Sequence, residues 1–256
     1  PVVLLQIDNE AGYFFRNGPF CQDYHPDSIG AWHTFLETRH GSLHAAGERH
    51  GRSYLAWADA QPPRGWDVGK DVGKDGAIDP RRALCRQLDW AKFQEHLLTR
   101  AVDRMKRQWF LVAPPVPTVH NLSLGDGGLP ASPPAMAEAV DLVGFDYYHA
   151  AGSDSEALRT IKRRTLYLSG TFGSGYAPEL GVGAPPWFTP LSSNDSITCA
   201  LAAMAYGLRG FNLYLAVDRD RWYGAPIDAQ GAARAEADEW RRLLDALQAP
   251  DFETPG

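Results

Sequence analysis

The sequence has no long apolar run, no excess of positive charge and almost no cysteine. No stretch approaches the roughly 18 consecutive apolar residues that a membrane-crossing helix needs, so no membrane span is expected. The formal net charge of −6 argues against a nucleic-acid-binding surface. The short basic run Lys162-Arg163-Arg164 reads as a solvated helix end. Cys21, Cys85 and Cys199 lie too far apart for a metal spacing and suggest no disulfide framework. There is no Gly-x-Ser-x-Gly elbow and no Walker loop, and Gly181-Val182-Gly183 is too short for a dinucleotide fingerprint. No cofactor is implied. His40 and His44 stand four apart, but no Glu follows His40 as a metalloprotease helix requires, and Gly41 lies between them. The pair reads as a solvated helix face, so no metal is expected.

What the chain does have is apolar and aromatic. Its 256 residues are 44% hydrophobic and 22% charged, enough for one large α/β domain or two smaller ones. Eight tryptophans and ten tyrosines suit a site that stacks flat sugar faces, although aromatics fill cores more often. Val2 to Ile7 is a continuous apolar run broken only by Gln6, as expected of a parallel strand buried on both faces. It ends in Asn9-Glu10, so a carboxylate sits at a strand mouth. A loop with Tyr13, Phe14, Phe15, Phe20 and Tyr24 follows, then a helix carrying Trp32, Phe35, Leu36, Leu43 and Ala46 up to about His50. Residues 60–82, with a tandem Asp-Val-Gly-Lys, read as an excursion loop. Trp90, Phe93, Leu97, Ala101 and Met105 predict a helix capped by Asp89.

Strands are expected at Trp109–Ala113 and Val140–Phe145, separated by a Pro/Gly loop over 114–134. Ser153 with Glu156 fits a capping box for a short helix. Thr165–Leu168 and Tyr176–Leu180 are two further strand candidates, of which one need belong to a barrel. A helix opened at Asn194, Asp195 or Ser196 carries Ile197, Leu201, Met204 and Leu208 and is stopped by Gly210 before a strand over Phe211–Val217. Trp240, Leu243, Leu244 and Leu247 close the chain with a helix. Alternating strands and helices with long loops after the strands predict an α/β fold, a (β/α)8 TIM barrel. About five such units fit strands four to eight. The chain opens on Pro1 inside a strand, so further N-terminal chain, or a second copy in a homo-oligomer, is expected to complete the barrel. Residues 1–256 are then one partial catalytic barrel domain.

Four segments resemble family 35 glycoside hydrolases, the β-galactosidase family, and more loosely family 42. Gln6-Ile7-Asp8-Asn9-Glu10 is like the family's strand-four Gln-x-x-Asn-Glu. The segment Phe35 to Leu43 is similar to its "rYGtle" helix. Phe145-Asp146-Tyr147-Tyr148 is similar to the end of strand six. Pro178-Glu179-Leu180-Gly181-Val182-Gly183 with Trp187-Phe188, and then Gly210-Phe211-Asn212-Leu213-Tyr214, are like strands seven and eight.

The resemblance implies Glu10 as general acid/base and Glu179 as nucleophile of a retaining glycosidase, that Asn9 hydrogen-bonds the sugar 2-hydroxyl and that Tyr148 lies near the nucleophile. Read on the residues themselves, Asp146 is a rival nucleophile, and one ring of the adjacent Tyr147 and Tyr148 is expected to point into the core. Trp187, Trp222, Tyr223 and Tyr214 are candidate sugar-side walls. The family's first three strands, which grip the sugar's 3-, 4- and 6-hydroxyls, are expected to lie outside these residues, so the reaction class is better specified than the sugar. Such chemistry needs two carboxyls about 5–5.5 Å apart, one to attack and one to shuttle a proton. The expected partner is a small β-galactoside. A β-glucosidase or mannosidase specificity, a sugar-binding barrel without turnover, and an inactive piece are the alternatives.

Overall fold

The computed structural model describes residues 2–12, 20–21, 23–65, 78–113, 116–123, 131–188, 190–219 and 222–248. In chain order its elements are β1 (Leu5–Gln6), α1 (Pro26–His40), α2 (Leu43–His50), a 3-10 turn (Trp57–Asp59), α3 (Pro80–Phe110), β2 (Thr118–Leu122), α4 (Pro133–Ala139), β3 (Leu142–Phe145), α5 (Ser155–Phe172), β4 (Gly175–Gly181), α6 (Ser193–Ala205), β5 (Leu208–Tyr214) and α7 (Ala235–Leu247). The chain divides into two compact units. Pro1–Asn9, Pro117–Leu124 and Leu142–Gly256 form the first, and Glu10–Val116 with Gly125–Asp141 the second.

The first unit holds all five strands. β1, β2 and β3 pair in parallel, as do β4 and β5. An isolated bridge joins the two sets, Tyr147 pairing with Leu180 in parallel sense. There the Tyr147 N–H donates to the Glu179 carbonyl and the Gly181 N–H donates to the Tyr147 carbonyl, both at 2.8 Å. Every residue of β2 is buried, as a strand covered on both faces requires. The crossover from β3 to β4 is α5, whose Asp154 cap accepts from the Glu156 N–H, and the crossover from β4 to β5 is α6, opened by the reciprocal Ser192/Asp195 capping box. Ile161, Ala200, Ala203 and Trp240 from the helices bury against Ala177, Leu180 and Leu208 from the strands. A Cβ on Gly144 would stand 2.2 Å from Pro178 Cδ, so β3 can lie this close to β4 only with glycine there.

The second unit packs α1, α2 and α3. Trp32, Leu36, Trp90 and Phe93 are its buried centre, and the Trp32 indole N–H donates to the Ala60 carbonyl at 2.8 Å. Tyr24 stacks on Trp90 with centroids 5.3 Å apart.

Several expectations are corrected. The helix expected up to about His50 is two helices: Gly41, at φ 81°, ends α1, and Ser42 caps α2. Asp89 is not a cap but a buried residue inside α3, whose cap is Asp79. Trp109–Ala113 is not a strand. Its β-prone residues continue α3 to Phe110 and a following turn before Pro114 intervenes. The strand lies instead at Thr118–Leu122, within the stretch read as loop. Thr165–Leu168 is helical: Ile161, Thr165 and Leu168 share the buried face of α5. Ser153 does not cap α5; its hydroxyl donates to Asp195. Gly210 stops no helix, since α6 ends at Ala205 and Gly210 pairs with Tyr176 inside β5. The tandem Asp-Val-Gly-Lys and Tyr13, Phe14 and Phe15 fall outside the described residues.

Candidate functional site

The polar residues of the first unit gather at the C-terminal tips of its strands. β1 ends in a kinked segment where Asp8 has φ 58°, and Glu10, the first residue of the second unit, has φ 47°. Beyond the last strand, Leu215 has φ 64°. Non-glycine residues in this region cost of order 1–3 kcal/mol each and cluster at functional sites. The Asp8 carboxylate accepts from the Asn9 N–H at 2.8 Å, which holds the turn.

Asn121 on β2 is the hub. Its amide Nδ2 donates to Asp146 Oδ2 at 2.9 Å, Asn9 Oδ1 at 3.1 Å and Glu179 Oε1 at 3.2 Å. Its Oδ1 accepts from Gln6 Nε2 at 3.0 Å, and Gln6 also donates to Asn9. Two amide hydrogens thus serve three acceptors. The other Glu179 oxygen, Oε2, accepts a short hydrogen bond from the Tyr148 hydroxyl. Glu179 sits where the β4–β5 register shifts between Ala177 and Leu180. Pro178 has no N–H for the ladder, and such an irregularity re-aims a side chain. Glu179 keeps some solvent exposure, whereas Asp146 has none.

Burial pushes the Tyr148 phenol far above its ordinary range, and its hydrogen bond to Glu179 and the charges of Glu179, Tyr214 and Asp146 add to the effect. It therefore stays protonated and remains a donor. Its ring lies 5.8 Å from Phe188 and 5.8 Å from Tyr214, both edge-on. A Cβ on Gly181 would be 2.6 Å from the Tyr148 ring, so glycine is what lets the ring lie against β4. Tyr147 faces the other way, fully buried, its hydroxyl 2.8 Å from Thr165 Oγ1.

Of the expected residues, Asn9, Tyr148 and Glu179 thus come together, with Tyr214 beside Tyr148. Trp187 is 76% exposed on the segment after β4. Tyr223 exchanges backbone hydrogen bonds with Ala184 at 2.7 and 2.9 Å, tying the segment after β5 to the one after β4, and Trp222 is partly buried beside it. Sequence reasoning missed Asn121. The signal available was Thr118-Val119, β-branched residues directly after Pro117.

The second unit carries a separate cluster. His40 Nε2 and His50 Nε2 both reach Asp89 Oδ2, at 2.7 and 2.9 Å, and Arg39 Nε donates to Asp89 Oδ1 at 2.8 Å. Burial lowers the pKa of His50. For Asp89 burial acts upward, but the hydrogen bonds from His50 and His40 outweigh it and hold the carboxyl below its ordinary value. His40 and His44 do not share a solvated face: the His40 side chain is 13% exposed and that of His44 86%.

No family model and no curated protein sequence matches the chain. Solved structures do resemble it. A β-galactosidase from the Antarctic haloarchaeon Halorubrum lacusprofundi has a TM-score of 0.73 at 16% identity over 100% of this chain and 39% of its own. One from Bacillus circulans sp. alkalophilus has a TM-score of 0.71 at 16% identity over 96% and 36%. A family 42 β-galactosidase from G. stearothermophilus has a TM-score of 0.70 at 13% identity over 94% and 36%. The chain thus spans little more than a third of the length of these proteins. At such identity the likeness establishes the fold: this chain is part of a (β/α)8 barrel.

Proposed function

We propose that this barrel segment belongs to a retaining glycoside hydrolase of the family 42 and family 35 kind that removes terminal β-galactosyl residues. The observation that carries the reading is the fixing of both Glu179 oxygens, one by the Asn121 amide and one by the Tyr148 phenol, at a register shift on a strand tip. A nucleophilic carboxylate must be oriented and must be reachable by the sugar; the two hydrogen bonds to Glu179 and its partial exposure support that role. Asp146, fully buried, accepts from the same Asn121 amide and is not the attacking group. Asn9, held by Gln6 and Asn121, is oriented to bond the sugar 2-hydroxyl.

In this mechanism the Glu179 carboxylate attacks the anomeric carbon, the glycosidic bond breaks, and Glu10 donates its proton to the departing oxygen. Glu10 then takes a proton from water, which attacks the same carbon and releases Glu179. The assignment of Glu10 rests on its place after Asn9 in Gln6-x-x-Asn9-Glu10, the segment that resembles the family's proton donor. The exposed Tyr214, Trp187 and Tyr223 and the partly buried Trp222 supply aromatic surface for the sugar and its aglycone.

The test is turnover of 4-nitrophenyl β-galactoside, β-glucoside and β-mannoside by the wild type and by Glu10→Ala and Glu179→Ala, with added azide. The reading predicts β-galactoside turnover, β-galactosyl azide from Glu10→Ala and α-galactosyl azide from Glu179→Ala. The same azide anomer from both variants would contradict the roles, and preference for another glycoside would contradict the sugar.

A further inference from the structure

We propose that His40, His50 and Asp89 form a site for one divalent transition-metal ion of the zinc type, in the second unit and independent of the sugar chemistry. Three ligand atoms, one from each residue, lie within 4.8 Å of one another. The imidazole rings meet edge to face with centroids 5.8 Å apart, so that both Nε2 atoms converge on a single carboxylate oxygen.

The surroundings are those of a ligand set. Arg39 occupies Asp89 Oδ1 and leaves Oδ2 turned toward the two histidines, which fixes a monodentate carboxylate. His50 Nδ1 is 3.1 Å from the Tyr54 hydroxyl, the kind of outer partner that sets the tautomer and ring direction of a metal-binding imidazole. Ligands at about 2.0–2.2 Å in tetrahedral array stand about 3.3–3.5 Å apart. The present separations of 2.7 and 2.9 Å therefore need to open by roughly half an ångström, a small side-chain rotation.

Without an ion, each Nε2 carries its proton and donates it to Oδ2. With the ion bound, each Nε2 gives its lone pair to the metal and each ring keeps its single proton on Nδ1; that of His50 is accepted by Tyr54 Oη. Two imidazoles and a single carboxylate oxygen suit zinc, copper or nickel better than calcium or magnesium, which take oxygen donors. The nearby Arg39 charge opposes the cation and makes the site a modest binder. Three protein ligands leave a fourth position for water, and the 13% exposure of the His40 side chain is the route in.

The test is titration of chelator-treated protein with Co2+, reading the visible d–d band, with Zn2+ competition and thermal unfolding in parallel. One equivalent should produce a tetrahedral-intensity band that Zn2+ abolishes, and Zn2+ should raise the Tm. His40→Gln, at the exposed edge of the cluster, should cut affinity at least tenfold while the far-UV spectrum stays that of the wild type. His44→Gln should bind as the wild type does. Absence of a band at one equivalent, or a band that survives His40→Gln, would overturn the proposal and leave the cluster a hydrogen-bonded hub.

Discussion

Replacing Asn121 should cost more than replacing any other polar side chain at the strand tips. Its amide makes four contacts, and two of its acceptors, Asp146 and Glu179, are carboxylates. A hydrogen bond to a charged group contributes about 1.5–3 kcal/mol and a neutral one about 1 kcal/mol. Glu179 is partly exposed, so water can replace its lost donor, but Asp146 is fully buried. Counting the Asp146 bond in full and the Gln6 bond as neutral gives a loss of about 3 kcal/mol for Asn121→Ala. For a chain of this size that lowers the Tm by roughly 6–12 °C. Asn121→Asp, nearly isosteric, should lose more at neutral pH, because it removes both donors and adds a third carboxylate beside two others. Part of that loss should return on acidification. The assay is urea unfolding followed by far-UV circular dichroism at pH 7 and pH 5. An Asn121→Ala variant within about 0.5 kcal/mol of wild type would refute the hub.

Two further outcomes follow from the same geometry. Gly181→Ala puts a Cβ 2.6 Å from the Tyr148 ring, so it should displace the phenol from Glu179 and slow β-galactoside turnover with little change in KM; unchanged kcat would remove Tyr148 from the account. His120 is buried, its Nδ1–H donates to the Ile7 carbonyl at 2.7 Å, and burial holds its pKa below the ordinary 6.5. Below pH 6.5 the unfolded chain takes up a proton at this residue that the folded chain refuses, so stability falls with falling pH, by at most about 1.4 kcal/mol per pH unit, down to the folded pKa. His120→Asn keeps a donor for Ile7 and removes the titration, so its stability should fall less than that of wild type between pH 7 and pH 5.5. Equal losses would sink the assignment.

The parts of the fold legible in the sequence are those where local pattern and tertiary role agree. The segment Tyr176-Ala177-Pro178-Glu179-Leu180 reads as a strand because buried parallel strands are continuously apolar, and it lies within β4. The run from Val2 through Ile7 is only in part what it was expected to be: it is a strand at Leu5–Gln6 alone, and of its residues Ile7 is buried while Val2 and Val3 are 70% and 76% exposed. Where context overrides propensity the sequence misled. Trp109 to Ala113 is β-prone in isolation, yet Trp109 and Phe110 are the last two residues of a 31-residue helix capped by Asp79, and 111–113 form the turn after it. Thr118–Leu122 is short, and prolines before it and glycines after it made its surroundings look like loop. Asn121 was therefore invisible as a site residue, since its meaning depends on Asp146 and Glu179, which only folding brings to it. The same holds for His50, ten positions from His40 and on a different helix, which folding brings against the His40 ring and onto the same Asp89 oxygen.

The central claim is that Glu179 attacks the sugar. Incubating the protein with a 2-deoxy-2-fluoro-β-galactoside bearing a good leaving group traps the covalent intermediate, because the fluorine slows its hydrolysis. Intact mass followed by peptide mapping should show one fluorogalactosyl group, attached to Glu179. A label on Asp146, or no label on folded protein that turns over β-galactosides, would contradict the account.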